Sequence, residues 1–170
     1  MSLTKVEFTL RPHLLESDAH SVSSIVTTWL EAGLAARVVR GRKVRTLQGL
    51  FDEFAAALQF PTYFGENLDA FDECIADLEG LPSGNGYVIV IVEPDELLAD
   101  ESDAVFEWFA RSLASAASGW AQPVDVGEWW DRPAVAFHVV LAGERGRLEA
   151  ESRRWARVGW PGVRFDSAGN

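Results

Sequence analysis

A chain of 170 residues, 48% hydrophobic and 24% charged, is long enough for one domain with a real core and too apolar to remain disordered. Its longest apolar runs, residues 87–92 and 134–137, fall far short of the roughly 20 residues that cross a bilayer, so no membrane partner is expected. The single cysteine, Cys74, excludes a disulfide framework and a multi-cysteine metal site; with no basic stretch leading into an apolar run at the start, a reducing cytoplasm is the expected location.

In chain order, residues 5–10 alternate polar and apolar, with Val6, Phe8 and Leu10 on one side, which predicts a strand ended at Pro12. Asp18 can cap a helix carrying Val22, Ile25, Val26, Trp29 and Leu30 up to Gly33. Residues 36–40 read as a strand turned at Gly41. Thr46 can cap a second helix, with Leu47, Leu50, Phe51, Phe54 and Leu58 as its apolar stripe. After a loop at 61–66, a short helix is predicted over 67–78, then a turn at Gly84, Asn85 and Gly86 into the apolar strand 87–92. A helix over 102–117 and a strand over 134–141 follow. Residues 144–157 mix charges as a solvent-facing helix does, within a solvated tail. Strands alternating with helices imply crossover connections, hence an α/β fold with three or four parallel strands packed against helices.

The formal net charge of −11 is segregated along the chain. Residues 1–60 hold seven Lys/Arg and six Asp/Glu, and residues 132–170 hold seven Arg and four acids. Between them, residues 61–131 hold sixteen acids against one base, Arg111, a net of −15. Such a field repels phosphate backbones, so direct nucleic-acid binding by this segment is not expected, and it attracts cationic proteins. A solvated face serving solubility alone is the plainer alternative.

The most specific stretch is YFGENLDAFDECI, residues 63–75. On a helical wheel Leu68, Phe71, Ile75 and Leu78 fall on one face, while Glu66, Asp69, Glu73 and Asp77 approach one another on the other. Asp69 and Glu73 are like charges at i,i+4, a pairing that destabilises an isolated helix by about 0.2–0.5 kcal/mol. Only acids near the N-terminal turn recover stability from the helix dipole, so stability alone does not select this row. Gly65 and Asn67 indicate a tight turn, and Tyr63 with Phe64 places two aromatics beside the acids, a combination typical of interface anchors.

This stretch resembles the signature of barstar and its relatives, intracellular inhibitors of secreted ribonucleases. The preceding ARVVRGRKVRTLQGLFDEFAAAL is similar to that family's first strand, turn and first helix, and the resemblance covers about residues 36–141. It implies a small parallel-sheet fold and inhibition by occlusion, an acidic helix and its preceding loop plugging the ribonuclease active site. By the same resemblance, Asp69 matches a contact aspartate, Tyr63 an aromatic packing on the enzyme's catalytic histidine, and Gly65 and Asn67 loop contacts. Glu73 stands where the family has an aspartate occupying the substrate-phosphate site. Asp72 replaces a family tryptophan, and Arg111 lies near an expected acidic contact. The domain plan is then an N-terminal extension packed on the core (1–35), a barstar-like domain (36–142) with a loop insertion (118–133), and an arginine-rich C-terminal tail (143–170).

The expected partner-binding set is therefore Tyr63, Phe64, Gly65, Asn67, Asp69, Asp72 and Glu73, the expected partner a basic ribonuclease or another cationic protein, and the alternative a non-inhibitory interaction module using the same surface. Catalysis is not expected, because the paired carboxylates have no accompanying histidine or metal cluster. No cofactor or metal is expected: His13, His20 and His138 share no ligand spacing, and His138 reads as a core histidine. Cys74 reads as a buried thiol, and Trp129 and Trp130 as aromatics pinning their loop to the core, with a second contact surface as the alternative.

Overall fold

The computed structural model describes residues 3–165, so the extreme ends of the expected N-terminal extension and C-terminal tail lie outside the described residues. Five parallel strands form one sheet: β1 (His13–Glu16), β2 (Ala35–Arg40), β3 (Tyr87–Val92), β4 (Phe137–Gly143) and β5 (Val163–Arg164), in the order β2-β3-β4-β1-β5. The α/β class is as expected; among the described residues the sheet has five strands, not three or four. Five helices connect them: α1 (Ala19–Glu31), α2 (Leu47–Leu58), α3 (Leu68–Asp77), α4 (Asp103–Ala121) and α5 (Arg145–Arg157).

The β1-to-β2 connection runs along the sheet in the opposite direction to those that follow. Right-handed crossovers therefore put α1 on one face and α2 to α5 on the other. The packing agrees. Val22 of α1 lies with Leu15, Ala36, Val88, Val90, Val140 and Ala142 in one cluster, while Leu50, Phe54, Phe71, Phe109 and Trp155 lie with Val39, Ile89, Ile91, Val139 and Leu141 in the other. The alternation of side chains along β3 and β4 supplies both faces, which is why those strands read as continuous apolar runs.

The first strand is not at residues 5–10. That segment is irregular, Phe8 is 63% exposed, and Leu10 is the one residue within it that is buried. The ladder begins only after Pro12, which lacks an N–H to donate, and runs between β4 and β5 with His13 opposite Val140 and Val163. The expected caps are in place: Asp18 accepts from the Ser21 N–H at 2.7 Å and Thr46 from the Gly49 N–H at 3.1 Å.

Two further expectations change. Helix α4 continues through residues 118–121, buries Trp120 and Ala121, and so takes the start of the expected loop insertion into the core. Residues 143–165 are not a solvated tail: α5 buries Leu148, Glu151 and Trp155, and Trp155 meets Phe106 and Phe109 edge-on at 5.3 and 6.3 Å. Three of its five arginines are paired within the chain, Arg145 with Glu16, Arg147 with Asp95 and Arg154 with the Leu97 carbonyl.

Candidate protein-binding site

Helix α3 is built on a narrow apolar edge. Phe71, Ile75 and Leu78 are buried, each such side chain contributing about 1.5–3 kcal/mol. Phe71 lies against Phe54, Phe60, Trp108 and Phe109 at ring separations of 5.3–6.2 Å. Leu68, expected on that inner edge, is 41% exposed because it occupies the first turn, beyond the reach of this cluster. The helix is also held from outside: Trp120 Nε1 donates to the Ile75 carbonyl at 3.3 Å, and the Ser112 hydroxyl of α4 donates to Asp72. Gly80 closes the far end, where a Cβ would collide with the Gln59 carbonyl at the end of α2.

The loop before the helix is pre-formed. Asn67 is the N-cap: its Oδ1 accepts from the Ala70 N–H at 2.9 Å, and its Nδ2 donates to the Gly65 carbonyl at 3.2 Å. Glu66 takes a left-handed backbone, with φ 48°. Phe64 is half-buried and packs edge-on against Phe51 and Phe60 at 5.7 and 5.2 Å, so it anchors the loop to the core. Tyr63 does the reverse. It is 77% exposed, and its hydroxyl donates to Glu79 at 2.9 Å, a contact that holds the phenol above its usual pKa.

On the outer side, Glu66, Asp69, Glu73 and Asp77 are all exposed. Among the described residues none of them, nor Asp72 or Glu79, pairs with a lysine or arginine, whereas Glu93, Asp95, Glu96, Asp100 and Glu107 of the same acidic segment do. Arg45 alone engages both Glu96 and Asp100. Internal pairing thus offsets five of the acids after β3, whereas the whole row on α3 and its loop keeps its charge without a cation. Arg111, near the expected acidic contact, pairs with Glu107 one turn away. Cys74 is half-exposed instead of buried; desolvation and then Asp77 and Glu73 push its thiol pKa up, which disfavours a nucleophilic thiolate.

The recess between Tyr63, Glu73 and Asp77 holds only about 80 Å³, well below the roughly 300–1,000 Å³ of small-molecule sites. A larger open crevice of about 520 Å³ lies at the carboxyl ends of β1, β3 and β4, and its arginines Arg145 and Arg147 are already paired with Glu16 and Asp95 across it.

A surface that sequence reasoning assigned to the core is the loop after α4. Trp129 is 89% exposed and Trp130 51%, so they do not pin the loop. That work falls to Asp131, which accepts from the N–H groups of Val126, Gly127 and Glu128, and to Arg132, which lies 4.4 Å over Trp120. Exposure is the alternative the sequence left open for this pair, because Trp-Trp reads the same inside or out.

The architecture and this surface define a parallel α/β protein that presents a stiff anionic helix and a tightly capped aromatic loop. Residues 34–142 match the family model described as Barstar (barnase inhibitor), and the chain belongs to that family. No curated protein matches it. Among solved structures, that of CDC6P from Pyrobaculum aerophilum is similar over 91% of this chain at 16% identity and a TM-score of 0.54, a likeness of fold alone; the chain spans 38% of that protein. Among the described residues no helix is long and apolar enough to cross a membrane.

Proposed function

We propose that the chain is an inhibitor of a basic ribonuclease, whose active-site cleft receives the loop 61–67 and the outer face of α3. The observation that carries this reading is the row of exposed carboxylates at Glu66, Asp69, Glu73 and Asp77, unpaired within the described residues while Glu93, Asp95, Glu96, Asp100 and Glu107 are paired. Cleavage of a phosphodiester needs cationic groups where negative charge develops, and a carboxylate on a rigid helix can fill that place without being cleaved. Asp69 and Glu73, one turn apart, are the proposed ionic contacts. Tyr63 offers its exposed ring, Gly65 and Asn67 shape the loop, Phe64 anchors it, and Asp72 contributes at the margin because Ser112 already holds it.

A non-inhibitory module for another basic partner is the second reading. It is favoured by the tie between Asp72 and Ser112, at a position where the resemblance would have a tryptophan, and by the glutamate at 73.

The test is RNA cleavage by a panel of small basic ribonucleases, with and without the protein, at low and high salt. Inhibition that weakens as salt rises is expected. The double variant Asp69→Ala/Glu73→Ala is expected to weaken inhibition at least about 100-fold, as loss of close interfacial charge pairs does. Its thermal stability should be unchanged or higher, because an i,i+4 repulsion is relieved. Full inhibition by the variant removes these contacts from the site; binding to an enzyme without inhibition moves the protein to the second reading.

A further inference from the structure

One face of the sheet buries two histidines where its alternation otherwise places aliphatic side chains. His13 shares the face of Leu15 on β1, and His138 shares that of Val140 and Ala142 on β4. The register sets His13 opposite Val140, so His138 is its diagonal neighbour across the ladder. The rings are 0% and 2% exposed, and His13 Nε2 lies 3.1 Å from His138 Nδ1, between residues 125 positions apart.

The hydrogen bonds fix one tautomer. The Lys5 carbonyl can only accept, so His138 carries its proton on Nε2, which donates to that carbonyl at 2.9 Å. The lone pair of His138 Nδ1 is thereby aimed at His13. A third group comes from the same N-terminal segment: half-buried Glu7 brings a carboxylate oxygen within 4.8 Å of a ring nitrogen of each histidine. His13 Nδ1 is buried with no protein partner. Packing alone does not account for two buried imidazoles with a half-buried carboxylate beside them, since burying polar groups that are incompletely paired is unfavourable compared with valine or leucine.

We propose that Glu7, His13 and His138 form a binding site for one divalent ion of the zinc class. Two nitrogens each about 2.0–2.1 Å from a common ion span the observed separation at an angle a little under tetrahedral. Two imidazoles and one carboxylate form a donor set for borderline ions in preference to magnesium or calcium. The bond from His138 Nε2 to a backbone carbonyl is the outer contact that orients metal-bound histidines. On binding, the ion replaces the bridging hydrogen bond, the His13 proton resides on Nδ1, and Nε2 presents its lone pair. Glu7 and His13 lie outside residues 34–142 and His138 within them, so the site joins the segment before the family match to the matched region. Its effect is to clamp the N-terminal segment onto β1 and β4.

The test is titration of the metal-stripped full-length chain with Zn²⁺ by calorimetry, with thermal unfolding followed in parallel and Co²⁺ as an absorbing probe. One equivalent is expected to bind, the unfolding temperature to rise, and Co²⁺ to give visible bands of a four-coordinate site that Zn²⁺ abolishes. Glu7→Gln, at a half-exposed irregular position, is expected to keep the fold and lower affinity at least about 10-fold. His20→Gln, on exposed α1 away from the cluster, is expected to leave binding unchanged. Absence of one-to-one binding overturns the proposal, as does binding that Glu7→Gln leaves unaltered, which would belong to surface carboxylates elsewhere.

Discussion

Glu151 sits on α5 with its side chain 6% exposed, on the helix face that also buries Trp155. The nearest cation, Arg154, is 3.6 Å away, beyond hydrogen-bond range, and Arg154 already donates to the Leu97 carbonyl and stacks 3.8 Å over Phe106. Burial therefore pushes the Glu151 carboxyl up to about 7, against a partial opposing pull from Arg154. The folded chain then binds a proton here that the unfolded chain has released, between an ordinary carboxyl pKa near 4.5 and about 7. Unfolding free energy falls as pH rises through that window, and the loss is complete above it. Glu151→Gln is expected to flatten the fall and to raise stability at pH 8 by on the order of 2 kcal/mol, with little effect at pH 4.5, as read from urea unfolding at the two pH values. A variant less stable than the parent at pH 8 would show that the ion pair with Arg154 outweighs desolvation. This residue was illegible in the sequence for a physical reason. Leu148, Glu151 and Trp155 form a stripe one residue wide, and an acid in the middle of a helix rich in arginine reads as solvent-facing.

Helices announced themselves through caps and apolar periodicity: Asp18 and Thr46 each cap the helix expected of them, while Asn67, read as a turn residue, proves to be the cap of α3. Strand β3 was legible as an apolar run after Gly86, and β2 as a short strand turned at Gly41. What failed was the first strand. Val6, Phe8 and Leu10 have the right alternation, but pairing is decided by an uninterrupted ladder, and that starts after Pro12 with histidine in a core position. β5 has two residues, too few to carry a period. The acidic row was readable because a wheel separates Phe71 and Ile75 from Asp69 and Glu73; the freedom of that row from internal arginines was not, since ion pairing depends on tertiary placement. The cap of α3 offers a test at this scale. Asn67 satisfies the Ala70 N–H and ties back to Gly65, so Asn67→Ala is expected to cost about 1 kcal/mol. The measurement is the urea midpoint, paired with hydrogen exchange at Asp69 and Ala70, which should quicken. Unchanged exchange there would mean that the aromatic cluster around Phe71 holds the first turn without the cap.

At the scale of the whole molecule, the family match over residues 34–142 contains β2, β3 and β4 with α2, α3 and α4, yet the sheet does not end at β4. β1 lies beyond it, covering His138, Val140 and Ala142 from the α1 face with Leu15, and β5 lies beyond β1. On the other face Trp155 fills the space against Phe106 and Phe109. A fragment limited to 34–142 would expose the whole edge of β4, a template for pairing with other chains. It would also lose the Trp155 contact, and truncating a buried aromatic of that size alone costs about 3–5 kcal/mol, a large part of the roughly 5–15 kcal/mol that holds a domain folded. The fragment is therefore expected to lack a cooperative thermal transition and to associate through β4, whereas residues 1–165 unfold in one step. Circular dichroism melts with light scattering distinguish the two. A monomeric fragment melting cooperatively within a few degrees of the longer chain would mean that β1, α1, α5 and β5 are appended to a self-sufficient core, and that the long connection from β1 to the far edge of the sheet contributes little to its stability.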